Sequence, residues 1–160
     1  MRENVLDVLV YLFENYYLDE DAPPEPDRAE LAAHLREAGF AEPQIERAFD
    51  WLADLAERPA DGDPDRQSPR AVRVFAPHEC RRLSAEARGF LLFLEQAGVL
   101  TPALRELVVD RVLELDESDP VGLEQMQWVV LMVLYNQPGH EAAYAWVEDL
   151  VLDALEGRLH

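Results

Sequence analysis

The chain has no lysine. Its 14 basic side chains are all arginine, and they stand against 33 acidic ones, a formal net charge of −19 over 160 residues. So little positive charge opposes nonspecific attraction to nucleic acid and to anionic membrane. It favours a basic partner or a salty solvent. Strong acidity without lysine also resembles proteins from halophiles, and arginine-only usage fits a GC-rich coding bias. Cysteine is almost absent too: Cys80 stands alone, which excludes an internal disulfide and fits a reducing cytoplasm. Long apolar runs are missing, since the longest, Trp128 to Tyr135, falls far short of a membrane span. The opening Met-Arg-Glu-Asn flows into an amphipathic pattern without the apolar stretch and small-residue cleavage site of a signal peptide. A cytoplasmic, soluble chain with no membrane partner is the expectation.

What is present is a good helical pattern. Apolar residues make up 49% of the chain, enough for a packed core despite the charge. Leu6, Leu9, Val10, Phe13 and Tyr17 recur at helical spacing over Asn4 to Tyr17. The acidic, proline-bearing stretch Asp19 to Pro26 reads as a loop. Asp27 suits the cap of a second helix, with Glu30 completing a capping-box pattern, and Gly39 suits its left-handed end. Pro43 fits the first turn of a third helix, whose stripe is Ile45, Ala48, Phe49, Leu52 and Leu55. Residues 1–57 thus form a three-helix unit. Residues 58–76 read as a linker, Arg58 to Pro69, followed by a short β-prone stretch, Ala71 to Phe75, with no evident partner strand.

Residues 77–160 read as a bundle of about four main helices. Ser84 is the expected cap of a helix through Gln96, and the run Phe90 to Leu94 predicts a helix surrounded by others. Thr101-Pro102 starts a helix to about Leu115, and Asp119-Pro120 repeats that start signal for one to about Asn136. From Trp128 onward the latter is apolar nearly all round, which predicts the core. After Pro138-Gly139, a last helix places Tyr144, Val147, Leu150, Val151 and Leu155 inward. The three tryptophans, Trp51, Trp128 and Trp146, sit at core spacing. The fold class is all-α: two small helical units joined by a linker, with one short extended segment.

Charge is uneven along this plan. Residues 1–57 hold 15 acids and 4 arginines, whereas residues 58–90 hold 5 acids and 7 arginines. Two surfaces stand out. On the third helix Glu42, Glu46, Asp50 and Asp54 fall four residues apart, an acidic row and the expected partner-binding face. Gly39 and Ile45 have the spacing of a helix-turn-helix, but Leu35 replaces its usual small residue. A helix so acidic would meet phosphates with like charge. Arg70, Arg73, Arg81, Arg82 and Arg88 form the alternative surface, one for polyanions, set against the plainer reading that they pair with the chain's own acids.

Enzymatic signals are sparse. His78-Glu79-Cys80 lies beside Arg81 and Arg82, yet neighbours on a turn or helix start do not face one another, so an enzyme using Cys80 is the remote alternative. His34, His140 and His160 carry no supporting motif. No zinc spacing, phosphate-cradling glycine loop or nucleophile elbow occurs. No catalytic residue, metal or cofactor is therefore expected.

The residues also resemble a known family. Val5-Leu-Asp-Val-Leu-Val-Tyr-Leu-Phe-Glu-Asn-Tyr16, Glu37-Ala-Gly-Phe40 and Trp51-Leu52 resemble the bacterial Smg family. So do Arg73-Val-Phe75, Glu79-Cys-Arg-Arg-Leu83, Arg88-Gly-Phe-Leu-Leu-Phe-Leu-Glu95, Trp128 to Asn136, and the terminal Glu156-Gly-Arg-Leu-His160. The resemblance covers the whole chain. It implies no established biochemical activity, and it supplies no catalytic residues. It does imply genes often placed near that of the DNA-processing protein DprA. The expected role is a non-enzymatic acidic interaction or adaptor module docking a basic partner, in DNA processing or translation. Nucleic-acid binding through segment 70–88 is the alternative.

Overall fold

The structure is a computed structural model. It describes residues 4–17, 27–57, 74–115, 120–137 and 139–159, with side chains for all of these except 16, 17 and 152–159. Eight α-helices and one π-helical turn make up the helical structure of the described residues. The chain divides into two compact units, one holding the first three helices up to Asp54, the other the five later helices.

In the first unit, Asn4 Oδ1 accepts the Asp7 amide at 2.8 Å and so caps α1 (Val5–Leu12). Val5, Leu6, Val8, Leu9 and Leu12 are buried with Phe13, and together they occupy one broad helical face. Val10, which the spacing placed inward, is half-exposed. From Phe13 to Tyr17 the backbone widens into a π-helical turn. Asn15 Nδ2 donates to the Tyr11 carbonyl at 2.8 Å, taking up the acceptor of an ordinary α-turn. Asp27 accepts the Ala29 amide at 3.3 Å and starts α2 (Arg28–Glu37).

That helix ends as its glycine predicts. Gly39 takes φ +99°, its amide donates to the Arg36 carbonyl, and the Phe40 amide reaches back to Leu35. This double bond pattern closes a helix only when the residue between is left-handed. Phe40 is then buried and meets Tyr11 edge-on, with ring centroids 5.6 Å apart. On α3 (Glu42–Ala56) the buried positions are Ile45, Ala48, Trp51 and Leu55. Phe49 is half-buried beneath Arg28, whose guanidinium sits 4.7 Å from the ring centroid.

The expected loop 19–26, linker 58–69 and residues 71–73 of the expected strand lie outside the described residues. Val74 and Phe75, the last two positions of that strand, belong to no strand. They lead instead into a short helix that the spacing did not reveal, α4 (Pro77–Arg82). Glu79 Oε1 accepts the Ala76 amide at 2.8 Å and holds its first turn. Extended pairing occurs elsewhere: Leu83 and Val121 form an isolated parallel bridge. The Ser84 amide donates to the Val121 carbonyl at 3.0 Å, and the Val121 amide to the Arg82 carbonyl at 2.8 Å.

Ser84 caps α5 (Ala85–Gln96) through the Ala87 amide, and Thr101 caps α6 (Pro102–Leu113) through the Leu104 amide, both at 3.1 Å. Gly98, at φ +78°, ends α5 with the bond pattern seen at Gly39. The start of the next helix differs from the Asp119-Pro120 expectation. Asp119 lies outside the described residues. Pro120 precedes the bridge residue Val121, and α7 (Leu123–Tyr135) begins only after Gly122. There Gln125 Oε1 accepts the Gly122 amide at 2.7 Å. The last helix is α8 (Glu141–Leu159).

The core of the second unit is α7. Met126 to Leu134 are buried without interruption, because α5, α6 and α8 all pack against this helix. Each large apolar side chain so enclosed contributes about 1.5–3 kcal/mol relative to exposure. By contrast α5 is not surrounded. Phe90, Leu91 and Leu94 are buried, but Phe93 falls on the outer face with Glu86, Gly89 and Gln96. A helix packed on one side cannot bury five consecutive residues, since they circle its axis. Trp146 corrects the core assignment in the same way: Trp51 and Trp128 are 4% and 6% exposed, and Trp146 is 41% exposed.

Two arginines are buried in α6. Arg105 is 1% exposed and bonds Glu95 on α5 through Nη1 at 2.5 Å; Arg111 is fully buried and donates to Asp110. No helix among the described residues is long and apolar enough to cross a membrane.

Candidate functional site

The acidic row is built by the amphipathicity of α3. Ile45, Ala48, Trp51 and Leu55 turn inward, so Glu42, Glu46, Asp50 and Asp54 project outward one turn after another, and all four are exposed. The row begins with an ion pair: Arg36, in the last turn of α2, donates Nε to Glu42 Oε1. That hydrogen bond, and then the carboxylate's charge, hold the Arg36 guanidinium above its ordinary proton affinity. Among the described residues no cation is bonded to Glu46, Asp50 or Asp54. The arrangement can therefore accept salt bridges from outside, three side by side along about 12 Å of helix.

The arginine segment is less concerted. Arg70 and Arg73 lie outside the described residues. Arg81 is exposed on α4, and Arg82 is half-buried with its carbonyl taken by Val121. Arg88 turns back toward the protein, donating Nη1 to Cys80 Sγ at 3.2 Å and Nε to the Ser84 carbonyl at 3.4 Å. The guanidinium that meets the thiol is thus Arg88, on the following helix, rather than its neighbours Arg81 and Arg82. The thiol also points at the Phe75 carbonyl, 3.8 Å away. His78 is exposed next to it.

Where the fold visibly moves a group, it moves it away from neutrality. Glu141 is lowered by its own amide and by that of Gly139, which donates from 3.3 Å at the start of α8. Tyr144 is raised, first by burial and then by its hydrogen bond to Glu148 and that carboxylate's charge. Among the described residues no group of three or more histidine, cysteine or carboxylate side chains could hold a metal ion.

Residues 5–160 match a family model whose description is "Protein of unknown function (DUF494)". A "Protein Smg homolog" of Thioalkalivibrio sulfidiphilus (strain HL-EbGR7) is 52% identical over 160 residues, covering the whole of both chains. The chain belongs to the Smg family. A Smg homolog of Nitrosococcus oceani is 50% identical over 162 residues, and one of Halorhodospira halophila 46% identical over 161, again over the full length of both chains. No solved structure gives a match. The Smg relationship carries no reaction with it.

One surface escaped the sequence reading. Phe93 on α5 and Trp146 on α8 are both exposed and meet in a tilted contact, with ring centroids 6.0 Å apart and planes inclined by 40°. The available signal was Glu86, Gly89 and Gln96, which share an α5 face with Phe93 and mark it as the solvent side.

Proposed function

We propose that this chain works without catalysis, as an acidic interaction module that docks a basic protein partner along the outer face of α3. The observation that carries the reading is the line of Glu46, Asp50 and Asp54, exposed, in register and bonded to no cation among the described residues. Like charges at this spacing cost an isolated helix about 0.2–0.5 kcal/mol per pair. A cationic surface laid along α3 removes that repulsion and turns it into attraction. The same row repels a phosphate backbone, so the partner is a protein. The expected setting is DNA processing or translation.

The test is affinity capture from the native cytoplasm with the full chain and with a variant carrying Glu46→Arg, Asp50→Arg and Asp54→Arg. These positions are exposed and outside the Arg36–Glu42 pair, so the fold is expected to persist. Recovery of basic proteins is expected to fall about tenfold, the loss of roughly 1.4 kcal/mol. Unchanged recovery removes this reading.

A further inference from the structure

We propose that the face formed by α5 and α8 around Phe93 and Trp146 docks a short, basic, amphipathic helix of a partner protein. An apolar side chain of that helix rests on the two rings, and its lysines or arginines reach Glu86 and Asp149. This surface lies within the second unit.

Four observations carry it. Phe93 is 49% exposed and Trp146 is 41% exposed, and their tilted contact makes one continuous aromatic step. Large rings left in water within contact of each other mark interaction sites more often than scattered apolar residues do. Next, Gly89 lies one turn before Phe93 on the same exposed face, in the interior of α5. It has no left-handed backbone to accommodate, and a Cβ built on it would meet nothing within 4 Å. Neither conformation nor packing within the described chain calls for glycine there, although glycine weakens a helix. A bare backbone beside an exposed ring lets a second helix approach closely.

Across the step, α8 presents Ala142 and Ala145, also exposed and also of low relief. Finally, among the described residues the exposed charged groups beside the rings include the carboxylates Glu86 and Asp149. Arg88, the nearest arginine in sequence on α5, is turned toward Cys80.

Charge chooses the occupant. A second copy of this chain would bring the same carboxylates together against a net charge of −19. A nucleic acid would find rings to stack on but a rim that repels its backbone. A basic amphipathic helix satisfies both the rings and the rim, its apolar side on the rings and its cations on the carboxylates.

The experiment is selection of a display library of short random peptides on the intact protein. Binding of the selected peptides is then measured on the protein and on Phe93→Ala, Gly89→Ala and the triple α3 variant. Trp146 is the exposed tryptophan of the three, so its emission reports burial directly. The expected result is enrichment of peptides with excess lysine and arginine and apolar residues at helical spacing. These peptides shift the emission to shorter wavelength and bind about 30-fold more weakly to Phe93→Ala. Gly89→Ala is also expected to weaken binding while unfolding at no lower urea concentration, which separates docking from folding. The α3 variant is expected to retain the apolar contacts and the emission shift.

No enrichment, peptides without basic excess, or equal binding to Phe93→Ala and Gly89→Ala overturns the proposal. So does sedimentation showing a dimer that Phe93→Ala dissociates, which would assign the face to a second copy.

Discussion

Three glycines show how differently one residue type acts. Gly39 and Gly98 close helices in left-handed conformations, whereas Gly89 sits in an ordinary helical turn with open space around it. Gly98→Ala is therefore expected to cost about 1 kcal/mol, the penalty of a Cβ in that region. Gly89→Ala is expected to gain about 0.5–1 kcal/mol. Urea unfolding of the two variants checks the opposite signs. Glu141 gives a pH dependence of known direction. Its carboxyl is held low by its own amide and then by that of Gly139, so it binds its proton more weakly folded than unfolded. The stabilisation it provides is complete above the unfolded-chain value, about 4.3. It is lost as pH falls through the lower folded value. The stability difference between the protein and Glu141→Gln is expected to be constant at neutral pH and to shrink only on acidification, measured by urea titration at stepped pH.

At the scale of elements, the buried pair between α5 and α6 is the sharpest dependence. Glu95→Ala removes the close carboxylate from the enclosed Arg105 guanidinium and leaves Glu106, 3.7 Å from Nη2, and the expected cost is about 1.5–3 kcal/mol. Replacing both residues with apolar ones of similar size, Glu95→Leu with Arg105→Met, is expected to recover most of it, and a double-mutant cycle on thermal unfolding measures the difference.

The elements themselves were legible wherever a short-range signal did the work. Asp27, Ser84 and Thr101 cap helices with their own side chains, and Gly39 and Gly98 end them, so those boundaries could be read directly. Where capping comes from a residue inside the helix, the signal pointed elsewhere. Gln125 holds the start of α7 from within, while the more familiar Asp119-Pro120 lies ahead of it. Likewise Glu79 reaches back to Ala76 at the start of α4, directly after the residues that read as a strand. Arg105 and Arg111 defeat periodicity, because a charged residue reads as outward; Arg105 is turned inward by a partner on the neighbouring α5, Glu95, which the sequence does not reveal. The α3 row needed no such partner, since opposite faces of one helix decide it; Phe93 and Trp146 required knowing which side of α5 and α8 the bundle leaves bare.

Across the molecule as a whole, like charges repel one another strongly. With 33 acids against 14 arginines, folding gathers negative charge into a smaller volume. Salt relieves this: the screening length falls from about 10 Å at 0.1 M to about 3 Å at 1 M. The urea midpoint is expected to rise with added sodium chloride between those limits; a falling midpoint would mean that ion pairs such as Arg105 with Glu95 outweigh the repulsion. The link between Leu83 and Val121 has a consequence for how the second unit comes apart. It ties the entrance of α5 to the entrance of α7, with α6 strung between them, so the chain there is a closed hoop fastened at its neck. Neither helix can peel away singly while that fastening holds. The Ser84 and Val121 amides should therefore exchange their hydrogens with solvent as slowly as those at the centre of α7, reporting the release of the whole bundle rather than fraying at a helix end.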